Sequence, residues 1–154
     1  MFDLLGDAAA SLVAVGRLDL ATTGLLILTT DTQLANRLAD PEAGFVRRYV
    51  VTVRGMLSDE SAARMVDGID GLRASRVTIR KRSKRETHLL VELTEGKNRE
   101  IRRLCEAIGQ EVTALKRIAF GGLELGSLRP GEWREVTRQE LAAAFGNAAV
   151  RPAR

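Results

Sequence analysis

Asp19 lies between Leu18 and Leu20 in the run Val15-Gly16-Arg17-Leu18-Asp19-Leu20-Ala21-Thr22-Thr23-Gly24, company that a carboxylate ordinarily avoids. Stripping water from its charge costs several kcal/mol, roughly, unless a partner offsets the loss. Far downstream, Gly96-Lys97-Asn98-Arg99-Glu100-Ile101-Arg102-Arg103 is dense in cationic groups. A guanidinium within about 4–6 Å favours the ionised form of a carboxylate. One acid among leucines and one basic helix start suggest a nucleophile serving a polyanionic substrate. Taken alone, Asp19 reads first as a turn residue ahead of Thr22 and Gly24, and the second segment reverses that preference.

The charge distribution supports a phosphate-rich partner. The net charge is only +4, but its cations are grouped. Arg73, Arg76, Arg80, Lys81, Arg82, Lys84 and Arg85 form one cluster, Lys97, Arg99, Arg102 and Arg103 a second, and Lys116 with Arg117 a third. Such clusters are often just solvated faces, yet three in one compact chain favour nucleic acid. The single cysteine, Cys105, excludes an intrachain disulfide and fits a reducing compartment. His88 is the only histidine, so no metal site is expected. No stretch is long and apolar enough to span a bilayer. Met1-Phe2-Asp3-Leu4-Leu5 lacks the basic region of a secretory signal, so the cytoplasm is the expected location.

The elements that must position these residues follow from periodicity. At 154 residues the chain suits one domain, expected over 1–146, with a flexible tail over 147–154. Residues 24–30 form an apolar run short enough for a buried strand. Asp31 is placed to cap a helix carrying Leu34, Ala35 and Leu38, which Pro41 ends. Phe45 to Arg54 alternates, with Tyr49, Val51 and Val53 on one face, which predicts a strand. Ser58 opens a helix bearing Ala62, Met65 and Ile69. Arg76–Arg82 and Thr87–Thr94 read as an antiparallel hairpin. Asn98 is placed to cap a helix with Ile101, Leu104, Cys105 and Ile108 on its inner stripe. Val112 to Val136 reads as short strands broken by glycines, with Trp133 packed. Thr137-Arg138-Gln139-Glu140 has the pattern of a capping box for a last helix. The expected class is α+β, with a mixed, largely antiparallel sheet and flanking helices.

Four stretches together resemble the bacterial ribosomal-RNA pseudouridine synthases of the RsuA family: GRLDLATTGLLILTTD, RRYVVTVRG, LTEGKNREIRRLCEAIG and RPGEWREVT. They occur in the family's order across most of residues 13–137. The resemblance implies the pseudouridine-synthase catalytic fold. It also implies isomerisation of a specific uridine to pseudouridine in ribosomal RNA without a cofactor. It gives Asp19 as the nucleophile, Arg102 as its ionic partner and Tyr49 as the residue stacking on uracil and assisting proton removal. Ile101 matches the aliphatic neighbour of the base, and Arg17 the arginine beside the extruded nucleotide. Phosphate contacts are expected from Lys97, Arg99, Arg103, Lys116 and Arg117, and an RNA contact from Asn98. Each also has a plainer role available: Tyr49 as core, Arg102 as a solvated helix residue, Asn98 as a cap.

Family members carry a Lys-Pro-Gly strand ahead of the equivalent of Phe2-Asp3-Leu4-Leu5, and many carry a small RNA-binding domain before it. Neither stands in this chain, so an open sheet edge satisfied by a second copy is expected. A non-catalytic RNA-binding or ribosome-assembly module is the alternative function. A small-molecule enzyme using the same acid is a third.

Overall fold

A computed structural model describes residues 11–97 and 99–149. The chain enters through β1 (Val13–Val15), which pairs antiparallel with β3 (Ile27–Thr29) in a two-stranded sheet. Between them lie the Asp19 segment and the short β2 (Thr23–Gly24), which joins a different sheet. The apolar run 24–30 is therefore divided, because Leu25 donates its backbone N–H to Arg117 at 2.7 Å before the chain turns back toward β1. Asp31 caps α1 (Thr32–Ala39), its Oδ1 accepting from the N–H groups of Gln33 and Leu34 at 3.0 Å each.

The main sheet takes β4 (Arg47–Arg54), β5 (Arg76–Arg82), β6 (Glu86–Leu93), β7 (Val112–Phe120) and β8 (Leu123–Glu124). Its strand order is β2-β7-β4-β6-β5, with β8 also on β7, and every pairing is antiparallel except β2 with β7. The α+β reading holds. Alternation along β4 places Tyr49, Val51 and Val53 on one face, opposite Val91, Leu89 and Thr87 of β6. On that face lie α2 (Asp59–Asp67), with Ala62 and Met65, and α3 (Glu100–Ala107), with Ile101, Leu104 and Cys105. These residues form the first core. A second core joins Val15, Leu34, Leu38 and Phe120 to Phe145 of α4 (Arg138–Phe145).

The expected hairpin and the Thr137 capping box are present. Four details differ. Val112–Phe120 is one continuous strand, and among the described residues no strand follows β8; the chain turns instead through Leu128 N–H to the Leu125 carbonyl and Glu132 N–H to the Arg129 carbonyl. Trp133 is 58 % exposed rather than packed. The expected tail begins too early, since Ala148 and Ala149 pack on the second core and Arg37 Nε donates to the Ala148 carbonyl at 2.8 Å. Helix α3 starts at Glu100, with Arg99 at its N-cap in the left-handed region (φ 51°) and no side-chain cap bond. Asn98, expected as that cap and as an RNA contact, lies outside the described residues.

No helix among the described residues is long and apolar enough to cross a membrane. Strand β5 closes one sheet edge with Arg76, Arg80, Lys81 and Arg82 exposed, a charged edge that resists further pairing. Along β7, β2 covers only Lys116–Arg117 and β8 only Ala119–Phe120. The outer side of Val112–Leu115 has no strand beside it among the described residues.

Candidate active site

A cleft of about 360 Å³ runs between the two cores. One wall is the segment from Gly16 to Asp19 with Thr22; the other is the end of the main sheet, with Tyr49, Leu93 and Leu115, capped by Ile101 of α3. Gly24 brings these walls together. Its φ of +108° suits glycine, and a Cβ there would collide with the Arg117 carbonyl oxygen. Only a residue without a side chain permits that approach of β2 to β7.

Asp19 is set by its own turn. The Thr22 N–H donates to the Asp19 carbonyl at 3.0 Å, and Asp19 Oδ1 accepts from Ala21 N–H (3.1 Å) and Thr22 Oγ1 (2.7 Å). Asp19 Oδ2 faces Arg102 Nε at 3.7 Å, while Arg102 Nη2 donates to the Ala21 carbonyl at 3.0 Å. The structure thus brings together the acid and the guanidinium singled out from opposite halves of the sequence. The expected apolar crevice around Asp19 is not what surrounds it. Its side chain is 26 % exposed, Leu20 points wholly into solvent, and the neighbours of the carboxylate are polar. The flanking leucines misled because a tight turn sends successive side chains in different directions.

Tyr49 is 9 % exposed, Ile101 3 % and Leu93 3 %, so the cleft floor is an apolar shelf with one aromatic ring. Beside it, Arg47 and Arg117 both stack on Phe120, their Cζ atoms 4.6 and 5.3 Å from the ring centroid. Burial pulls the Arg47 guanidinium below its ordinary range, and the neighbouring Tyr49 side chain opposes that shift.

The other expected RNA contacts divide sharply. Arg17 and Arg99 are exposed and line the cleft. Arg117 is 1 % exposed and spends its Nε on the Leu25 carbonyl at 3.0 Å, so it is a buried tie between β7 and the β2 segment. Lys97 also lines the cleft, but its Nζ donates to the Gly71 carbonyl at 2.7 Å and sits 3.7 Å from Glu95. Lys116 points to the opposite side of the sheet from Leu115 and Arg117, as strand alternation requires. Arg103 is exposed on the helix face turned away from Ile101, Leu104 and Cys105, and does not line the cleft.

Two groups gained weight only from the structure. Arg47 shares the Tyr49 face of β4, a placement that the period of two already contained. Glu100 is 2 % exposed at the start of α3 and lines the cleft, with its Oε2 accepting from the Arg73 N–H at 3.4 Å. Burial, then the neighbouring Glu95 carboxyl, pushes Glu100 up to about 7. Its spacing in the sequence marks it only as another charged residue in a basic run.

The arrangement holds an anion at the rim of a partly apolar, cation-lined cleft and offers an aromatic face for a planar ring. Residues 4–107 match the family model described as RNA pseudouridylate synthase. An uncharacterized RNA pseudouridine synthase of Aquifex aeolicus is 38 % identical over 147 residues, 93 % of this chain and 59 % of that protein. A ribosomal large subunit pseudouridine synthase B of Yersinia pestis is 42 % identical over 129 residues, 80 % of this chain and 41 % of that protein. A crystal structure of a pseudouridylate synthase superposes with a TM-score of 0.77 at 28 % identity, covering 90 % of this chain and 62 % of that one. The chain therefore spans less than two thirds of each of these relatives. On the family match and the shared fold, this chain belongs to the RNA pseudouridylate synthase family.

Proposed function

We propose that this chain isomerises a specific uridine of ribosomal RNA to pseudouridine, with Asp19 as nucleophile. The observation that carries the proposal is the Arg102–Asp19 pairing at the rim of a cleft floored by Tyr49. Oδ1 of Asp19 is already occupied by two donors, which leaves Oδ2 as the attacking oxygen. Arg102 holds the carboxylate from one side and the turn carrying it from the other. A fixed guanidinium fork suits that double task better than an ammonium.

The net reaction needs no outside reagent. Asp19 Oδ2 forms a transient bond to the nucleotide. The bond between the ribose and uracil N1 breaks, the base turns, a bond from uracil C5 to the same ribose carbon replaces it, and the bond to Asp19 breaks again. One proton leaves C5 and one arrives at N1. In this reading Tyr49 stacks on the extruded ring and assists removal of the C5 proton, and Ile101 packs against the base. Proteins hold unstacked RNA bases on aromatic faces in this way. Extruding a base costs a few kcal/mol, roughly, and phosphate contacts from Arg17 and Arg99 help to offset it. Arg103 and Lys116 contact RNA beyond the cleft, and the resemblance adds Asn98 as an RNA contact.

A pairing of two copies along the outer edge of β7 is the corresponding proposal for assembly, and light scattering on a size-exclusion column tests it; a monomer at all concentrations removes it. Incubation with unmodified ribosomal RNA transcripts, followed by pseudouridine mapping, tests the activity itself. One new pseudouridine that Asp19→Asn abolishes supports it. RNA binding with no product from the unaltered chain replaces it with the binding-module reading.

A further inference from the structure

Arg47 and Arg117 carry charges that the described residues leave unanswered. They are 5 % and 1 % exposed, and both line the cleft. No carboxylate among the described residues lies within ion-pair distance of either. Arg47 Nη1 donates to the Phe45 carbonyl at 3.3 Å and Arg117 Nε to the Leu25 carbonyl at 3.0 Å, while Arg117 Nη2 is buried with no partner. Both guanidiniums lie on the Phe120 ring, and Arg117 disfavours the charge of Arg47. Glu100, whose charge would favour Arg47, keeps its proton up to about 7. Buried charges in folded proteins are ordinarily paired, because leaving one uncompensated is costly.

Gly96 shapes the space beside them. The three atoms nearest to a Cβ built there would be Arg47 Cζ, Nε and Nη2, at 3.7, 3.8 and 3.8 Å. The missing side chain thus leaves room over the two nitrogens of Arg47 that make no hydrogen bond among the described residues. We infer that Arg47, with Arg117 beneath it, forms a pocket for one RNA phosphate, the phosphodiester next to the flipped uridine, seated beside Gly96. This rests on the reading of the cleft as a site for a flipped-out uridine. Arg47 and Tyr49 share one face of β4 two residues apart, about 7 Å along the strand. A base lying on Tyr49 therefore carries its own backbone past Arg47. The guanidinium fork matches two phosphate oxygens, and the anion relieves the repulsion between the two arginines. Such a contact positions the strand without reading its sequence.

The test uses a single-stranded RNA fragment around the uridine mapped in ribosomal transcripts. The linkages flanking that uridine are replaced one at a time by uncharged methylphosphonate. Filter binding compares the unaltered chain with Arg47→Met and with Gly96→Ala, which keeps the guanidinium but fills the space over it. At one linkage, neutralisation should weaken binding by the unaltered chain about tenfold and by Arg47→Met less than about twofold. Arg47→Met should also reduce the salt slope by about 0.7. Gly96→Ala should bind RNA as Arg47→Met does, at an unchanged melting temperature, since its methyl group meets Arg47 only at ordinary contact distance. Equal losses in all three chains at every linkage overturn the pocket while the proposed activity stands. Inorganic phosphate supplies an arm independent of that activity. Relative to chloride at equal ionic strength, it should raise the melting temperature of the unaltered chain more than that of Arg47→Met. That difference together with equal RNA losses marks a site for free anions only and overturns the RNA assignment. Absence of product from every ribosomal transcript overturns the proposed function, and the phosphate arm then decides the pocket alone.

Discussion

Arg102 holds Asp19 in two ways: Nε lies 3.7 Å from the carboxylate, and Nη2 bonds the Ala21 carbonyl within the turn that aims it. Charge and orientation therefore come from one side chain. Arg102→Lys keeps the charge but loses the fork. We expect kcat to fall about a hundredfold while RNA affinity changes less than about threefold. Single-turnover assays beside filter binding check this; equal losses in both would make Arg102 an RNA contact.

Glu100 carries a pH signature. Folded, it keeps its proton to about 7, against an ordinary value of 4.5, because burial and the adjoining Glu95 carboxyl disfavour its charge. Between those values the folded chain binds more protons than the unfolded one. Stability therefore declines as pH rises from about 4.5 to about 7, by up to about 3 kcal/mol, and levels off above. Urea titrations across that range should show the decline in the unaltered chain and a flatter profile in Glu100→Gln. A matching decline in both assigns the effect elsewhere.

Gly24 permits the contact between β2 and β7 that docks the Asp19 segment on the sheet. Gly24→Ala should destabilise the chain by more than about 2 kcal/mol, since the added methyl meets backbone and the φ is unfavourable. Thermal melts decide it. A variant as stable as the parent would mean that β2 does not seat on β7 as described.

Two arginines separate binding from architecture. Arg117→Ala should lower stability, because it removes a buried guanidinium tied to the Leu25 carbonyl and stacked on Phe120. Arg99→Ala should leave stability within about 0.5 kcal/mol, weaken RNA binding and reduce its salt slope by about 0.7. A reversed outcome would exchange their roles.

Cys105 is buried on α3, and burial pushes its thiol up to about 12. It should resist alkylation in the folded chain at pH 8 and react at the rate of a free thiol once denatured. Mass spectrometry after timed exposure to iodoacetamide checks this; rapid native labelling contradicts the packing of α3.

Much of this was legible in the sequence because local chemistry decides it. The Asp31, Ser58 and Thr137 caps, the alternation of β4 and the stripe of α3 all follow from side chains acting within a few residues of themselves. The Asp19–Arg102 meeting was reached through resemblance, since no periodicity links positions so far apart. What stayed hidden depends on direction and partner choice. Leu18 and Leu20 suggested burial for Asp19, yet the turn sends Leu20 outward. Lys116 and Arg117 read as one basic pair, yet they occupy opposite faces of β7, one in solvent and one beneath the cleft. Arg99 took the cap position of α3 in place of the expected Asn98, through backbone conformation rather than side-chain bonding.

The most direct measurement is pseudouridine mapping on unmodified ribosomal RNA transcripts treated with this chain and with Asp19→Asn. The account predicts one new pseudouridine with the unaltered chain and none with the variant, at similar RNA occupancy. Product formed equally well by Asp19→Asn would contradict it.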